Sequence, residues 1–171
     1  EAIQNDFKLM MKLINDHLKS NCYLLGDRPC LADFALVGPS KAHYLIDPEP
    51  RSWLGDNEIM LNDYVDRIWN IDQKELKWSD SDDIPETLLA IIEHMVKNYH
   101  AFSLASIQAA ASGEKEFTLD LGSGGFTARS MKRLDKSRLH VQDELERVNA
   151  WEITSLVNTG ALELYKHPAY I

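Results

Sequence analysis

The stretch Tyr23-Leu24-Leu25-Gly26-Asp27-Arg28-Pro29-Cys30-Leu31-Ala32-Asp33-Phe34-Ala35-Leu36 decides how the chain is read. Asn21 and Gly26 stop the preceding helical segment or follow its end, and a second helix starts near Cys30,. Asp33 falls at the third helical position, where its carboxylate reaches back to the free N–H groups of the helix start. The residue before the cap and one farther along complete a hydrophobic staple. Serine or threonine is the usual cap. Cysteine accepts hydrogen bonds weakly, so this cap is expected to be weaker by about 1 kcal/mol.

Working outward, the segment before this stretch carries Ile3, Phe7, Met10, Ile14 and Leu18 at helical steps,. Leu9, Met11 and Leu13 add apolar area beside that stripe, which predicts burial on more than one side. Beyond it, a helix from Cys30 to about Ile46 is expected to kink at Gly38-Pro39, because proline removes a backbone donor and crowds the preceding turn. Asp47-Pro48-Glu49-Pro50 is expected to end it, leaving Trp53 in a loop. Asp56 is a suitable N-cap for a third helix with Ile59, Met60, Tyr64, Ile68 and Trp69 facing inward. Ser79 to Asp83 reads as an acidic loop. Pro85 and Glu86 then open the longest helix, reaching about Ala111 and closed by Gly113.

After Gly113 the period changes from helical to alternating. Phe117, Leu119 and Leu121 alternate with Thr118 and Asp120, Gly122 to Gly125 make a turn, and Phe126 and Ala128 follow. This predicts a β-hairpin. A last helix is expected from about Ser137 to Val157, with Leu139, Leu145, Val148 and Ile153 facing in and Asn158-Thr159-Gly160 at its end. The fold class is therefore mainly α, with one small hairpin and a final helix.

Composition narrows the function classes. The net charge of −9, from 18 basic and 27 acidic residues, argues against a nucleic-acid binder, which needs a basic face to release phosphate counterions,. It argues equally against an anionic membrane surface. No apolar run reaches the roughly 20 residues that cross a bilayer. Cys22 and Cys30 make neither a disulfide framework nor a zinc site and are expected to stay reduced, which points to the cytoplasm,.

The quoted stretch resembles the signature of the glutathione transferase C-terminal domain, in which a helix ends in an apolar pair, then Gly-Asp, then a Ser/Thr-x-x-Asp capped helix. Val65-Asp66-Arg67-Ile68-Trp69 resembles the family's next helix, and Pro85 to Leu89 the start of its last one. The resemblance implies a helical bundle over residues 1–112 and a C-terminal extension over 113–171. It implies that Gly26, Cys30 and Asp33 are folding residues, a turn and a helix cap. It also implies that glutathione is the co-substrate of a larger protein. A thioredoxin-like domain that binds glutathione, and one further helix, would lie upstream of Glu1. The chain alone is expected to be inactive and to bind neither glutathione nor a metal. It would supply the hydrophobic-substrate side, with His43, Trp53 and Tyr99 as candidate contacts. The first helix, lacking its usual neighbours, is expected to mediate a homodimer. The alternative is a non-catalytic module of the same fold that serves assembly, since fold alone does not assign activity.

Other signals are weaker. Leu119 to Gly125 resembles the glycine-rich loop of methyltransferases that use S-adenosylmethionine, but the residues after it alternate like a strand where a helix would be needed. His43, His94 and His100 suit acid–base work by type, yet no nucleophile grouping accompanies them. Asp80, Asp82 and Asp83 lack the twelve-residue calcium-loop pattern. Cys30 stands at a helix N-terminus, where a thiol pKa falls, but has no partner base.

Overall fold

A computed structural model describes residues 2–71, 83–120 and 125–170. Among these the chain is mainly helical, with one two-stranded antiparallel sheet. It divides into two compact units, residues 1–88 and 89–171. Helix α6 thus groups with the hairpin and the helices after it, whereas the sequence suggests a change of character at residue 113.

In the first unit, α1 (Ala2–Leu18) packs on α3 (Pro48–Leu54) and α4 (Asn57–Trp69), and α2 (Leu31–Pro39) packs on α4. The buried face of α1 is Met11, Ile14 and His17, while Ile3 is 70% exposed. The expected stripe holds in part: Ile14 is buried and Phe7, Met10 and Leu18 are half-buried, while Ile3, on the same face at the start of the helix, is exposed,. Met11 and His17 widen the buried face, and the His17 ring finds polar partners inside.

Helix α4 likewise keeps part of its expected face, Tyr64 and Ile68. Leu61, Tyr64, Val65 and Ile68 are buried, whereas Ile59 and Trp69 are 74% and 64% exposed. The buried four follow an i, i+3, i+4, i+7 pattern that includes Tyr64, the residue tied to α2. Trp69 is instead covered from outside by Lys41, whose Nζ lies 3.7 Å from the ring centroid,.

The bend at Pro39 takes a specific form. Proline offers no N–H, and the backbone continues as a π-helical turn over Ser40–Tyr44, in which the Leu45 N–H reaches the Ser40 carbonyl at 3.0 Å,. The buried Ser40 hydroxyl donates to the Leu36 carbonyl at 2.7 Å. Asp47-Pro48 does not simply end this segment. Pro48 fills the first position of α3, so Trp53 sits on a short helix rather than in a loop,.

The expected long helix runs from Glu86 to Ala111 without a gap, as α5 (Glu86–Met95), a π-helical turn (Val96–His100) and α6 (Ala101–Ala111), and all of it from Leu89 on belongs to the second unit. Gly113, at φ +80°, closes α6, with its N–H on the Ala110 carbonyl and the Glu114 N–H on the Ala109 carbonyl, a Schellman pair,. Strands β1 (Glu116–Asp120) and β2 (Gly125–Arg129) pair as expected, with Phe117 opposite Ala128 and Leu119 opposite Phe126. Phe102 of α6 lies beneath them, stacked on Phe126 and tilted against Phe117. Leu121 and the turn at 122–124 lie outside the described residues, as does most of the acidic loop.

The last helix is broken. Helix α7 runs Arg133–Arg147, Asn149 adopts a left-handed φ of 50°, and a 3₁₀ turn (Ala150–Glu152), α8 (Thr154–Thr159) and a second 3₁₀ turn (Glu163–Lys166) follow,. Val148 and Ile153, expected inside, are 65% and 41% exposed. The buried residues of α7 are a charged pair, Asp135 and Arg138.

Candidate functional site

The decisive stretch builds a polar knot. Tyr23 and Gly26 exchange backbone hydrogen bonds across a tight turn at 2.8 and 3.3 Å, with Gly26 at φ +97°, where a side chain is strained,. The turn aims the Leu24 N–H at Asp33, whose Oδ1 accepts it at 2.9 Å. Asp33 Oδ2 accepts the Cys30 N–H at 2.7 Å, the capping arm expected from sequence,. The Tyr64 hydroxyl of α4 donates to Asp33 Oδ1 at 2.6 Å.

Two more links close the knot. The Arg67 guanidinium donates to the Cys22 carbonyl at 2.6 Å. His17, fully buried, has Nε2 3.3 Å from the Tyr23 carbonyl and Nδ1 2.8 Å from Thr87 Oγ1. A carbonyl can only accept, so Nε2 is the nitrogen that donates to Tyr23,.

This chemistry holds the fold rather than reacting. Asp33 is shut off from solvent and each of its partners is a donor. Burial and the neighbouring carboxylate push the Tyr64 phenol far above its ordinary range, so it stays a donor,. Burial, then the Asp33 carboxylate, also push the Cys30 thiol up, outweighing the nearby backbone N–H groups that would lower it. Cys30 is not an activated thiolate.

The candidate contacts from the sequence fall in both units. His43 and Trp53 belong to the first, Tyr99 to the second. His43 Nδ1 lies 3.0 Å from the Asp47 carboxylate, which explains why Asp47 begins α3 without capping it through its side chain. Trp53 is half-buried and edge-on to Phe7 at 5.9 Å, and Phe7 is edge-on to Tyr44 at 5.0 Å. An aromatic wall of Phe7, Tyr44 and Trp53 therefore stands next in sequence to the His43–Asp47 pair. Such a wall offers apolar contact area to a ligand, with a polar edge. Phe7 reads in sequence only as part of a helical stripe, and Tyr44 and Asp47 carry no signal of their own. Tyr99 is 47% exposed and lies beside His100, the ring centroids 6.2 Å apart.

Among the described residues, no group of three His, Cys, Asp or Glu side chains is arranged to hold a metal ion, and no helix is long and apolar enough to cross a membrane. Asp80 and Asp82 lie outside the described residues. His94 Nε2 lies 3.2 Å from the Asn98 amide. A shallow depression of about 500 Å³ lies between the base of the hairpin and the start of α7, lined by Glu114, Lys115, Glu116, Arg129 and Lys132 among others. Its charges are mixed in sign, and nothing nucleophilic is set against a base there. No protein-family model, curated protein or solved structure matches this chain.

Proposed function

We propose that this chain is the hydrophobic-substrate side of a glutathione-transferase-like protein, and that it carries no catalysis alone. Glutathione is held, and its thiol activated, by a thioredoxin-like domain supplied upstream. This helical part offers apolar surface to the electrophile that the thiolate attacks. The observation that carries the proposal is Asp33. In the stretch that resembles the family signature, this acid caps α2, catches the preceding turn through Leu24 and anchors α4 through Tyr64. The aromatic wall of Phe7, Tyr44 and Trp53, with His43 at its edge, is the proposed ligand surface of the first unit, and Tyr99 is the candidate in the second. A cytoplasmic location and self-association through α1 belong to the same proposal.

A second reading, a non-catalytic assembly module, is favoured by one observation. Leu31 and Phe34 of α2 are 85% and 51% exposed, more apolar surface than a substrate wall requires,. The reading frame upstream of Glu1 separates the two. A thioredoxin-like domain with a Ser, Tyr or Cys near its start supports the enzyme, and a frame without one supports the module. By titration calorimetry the chain alone is expected to show no glutathione binding at millimolar concentration. Measurable binding would contradict the division of labour.

A further inference from the structure

The end of the second unit crosses the π-helical turn Val96–His100. Contact begins at Gly160, where an added Cβ would lie 3.7 Å from Val96 Cγ1. Leu162 and Leu164 are buried next, and the Tyr165 ring then stands edge-on to His100 at 5.5 Å. His100 Nδ1 is shut off from solvent with no hydrogen-bond partner. A buried imidazole nitrogen without a partner is costly. π-helical turns are rare and frequently accompany functional sites.

Beyond the buried Leu162 and Leu164, the polar fastening of the segment is at one place. Arg138 Nη1 donates to the His167 carbonyl at 2.7 Å and Nη2 to the Pro168 carbonyl at 2.9 Å. The Tyr170 N–H donates to Asp135 Oδ2 at 2.9 Å. Arg138 and Asp135 are joined through Nε and Nη2 at 2.9 and 2.7 Å, each with a side chain only 2% exposed. All three fastening bonds go to backbone atoms of the segment, and the Tyr170 ring lies over the guanidinium at 5.7 Å.

We propose that residues 160–170 are a strap across the 96–100 turn, latched by the Asp135–Arg138 pair, and that releasing the latch uncovers Nδ1 of the half-buried His100. The strap's polar anchors converge on one ion pair and its apolar anchors are Leu162 and Leu164, a small enough set for the strap to leave as one unit while α6 and the hairpin stay packed around Phe102,. Once uncovered, His100 joins the exposed Tyr99 on one accessible surface. It then offers an imidazole nitrogen that no protein group has claimed.

The test uses diethyl pyrocarbonate at neutral pH on the full chain, with the modified histidines identified by peptide mass and amide hydrogen exchange run in parallel. In the wild type, His100 is expected to react about tenfold more slowly than the exposed His43. In Arg138→Gln, the His100 rate rises toward that of His43, and the amides of 162–170 lose protection while those of α6 keep theirs. Equal rates for His100 and His43 in the wild type would overturn the proposal. So would an Arg138→Gln protein with an unchanged His100 rate, or one in which α6 exchanges together with the strap. If Arg138→Gln does not fold, the double replacement Asp135→Leu with Arg138→Met removes the latch without leaving a lone buried charge. The same readouts then decide.

Discussion

The Tyr64 hydroxyl donates to Asp33 Oδ1 at 2.6 Å, and both residues are completely excluded from solvent. A carboxylate in that position would be expensive without donors, and it has three, two from backbone and one from α4,. The bond therefore joins the rotation of α4 to the cap of α2. Removing the phenol oxygen by Tyr64→Phe is expected to cost about 1.5–3 kcal/mol, the range for a hydrogen bond to a charged group. Asp33→Ala strands three buried donors and is expected to cost more. Urea unfolding monitored by far-ultraviolet circular dichroism checks both. A neutral Tyr64→Phe would show that the phenol contributes packing alone.

The cap itself can be improved. Cys30 presents sulfur where a serine hydroxyl would accept the Asp33 N–H more strongly,. Cys30→Ser is expected to raise stability by about 1 kcal/mol while leaving the Asp33 arm intact. A loss of stability in the same urea experiment would mean that the half-buried thiol contributes more by packing than by capping.

Those two positions mark what the sequence discloses. The turn, the cap and the Asp33 arm are local, spread over a few residues, and sequence reading finds them. The hairpin is legible for the same reason, since its alternation is unbroken up to the glycine turn. Tyr64 as the third donor is not legible, because its partner lies 31 positions away. The buried faces of α1 and α4 are legible in part. Ile14, Tyr64 and Ile68 are found, whereas His17 is missed because its polar partners, Tyr23 and Thr87, lie elsewhere in the chain. The break at Asn149 is hidden because the residues around it continue a plausible helical pattern. The Asp135–Arg138 pair is hidden because charged residues on a helix read as solvent-facing. The two π-helical turns leave no mark in periodicity at all, although Pro39 signals that something must yield near the first.

His100 gives a pH dependence with a defined sign. Burial holds its imidazole below the ordinary value of 6.5,. On acidification the unfolded chain therefore takes up the proton before the folded chain does. The contribution of the neutral ring is complete above pH 6.5 and is lost as the pH falls from there toward the depressed value. His100→Phe keeps an aromatic ring against Tyr165 and removes the proton site. The stability difference between the two proteins, measured by urea unfolding at pH 8 and pH 5, is expected to shift in favour of the variant at the lower pH. Groups common to both cancel in that difference. A difference that does not change with pH would show that the ring is already solvated.

Self-association is expected through α1, and the structure defines which side chains would serve. Ile3 and Leu9 are 70% and 47% exposed; Leu9 lies on the side away from the buried Met11, Ile14 and His17, whereas Ile3, three turns before Ile14, continues their face at the start of the helix. The rest of the outer face is charged. Lys12 and Lys19 both pair with Asp16, at 2.5 and 2.6 Å, and exposed pairs of this kind are worth little,. An α1 contact must then rest on those two apolar side chains, while α2 offers Leu31 and Phe34 as a rival surface. Sedimentation of the wild type over a wide concentration range is expected to show a reversible dimer. The double variant Ile3→Glu with Leu9→Glu is expected to weaken it by about tenfold or more, since each loses buried apolar area and adds a like charge. Leu31→Glu should leave it unchanged. The reverse pattern would move the contact to α2, and a wild type that stays monomeric throughout would remove α1 as an interface.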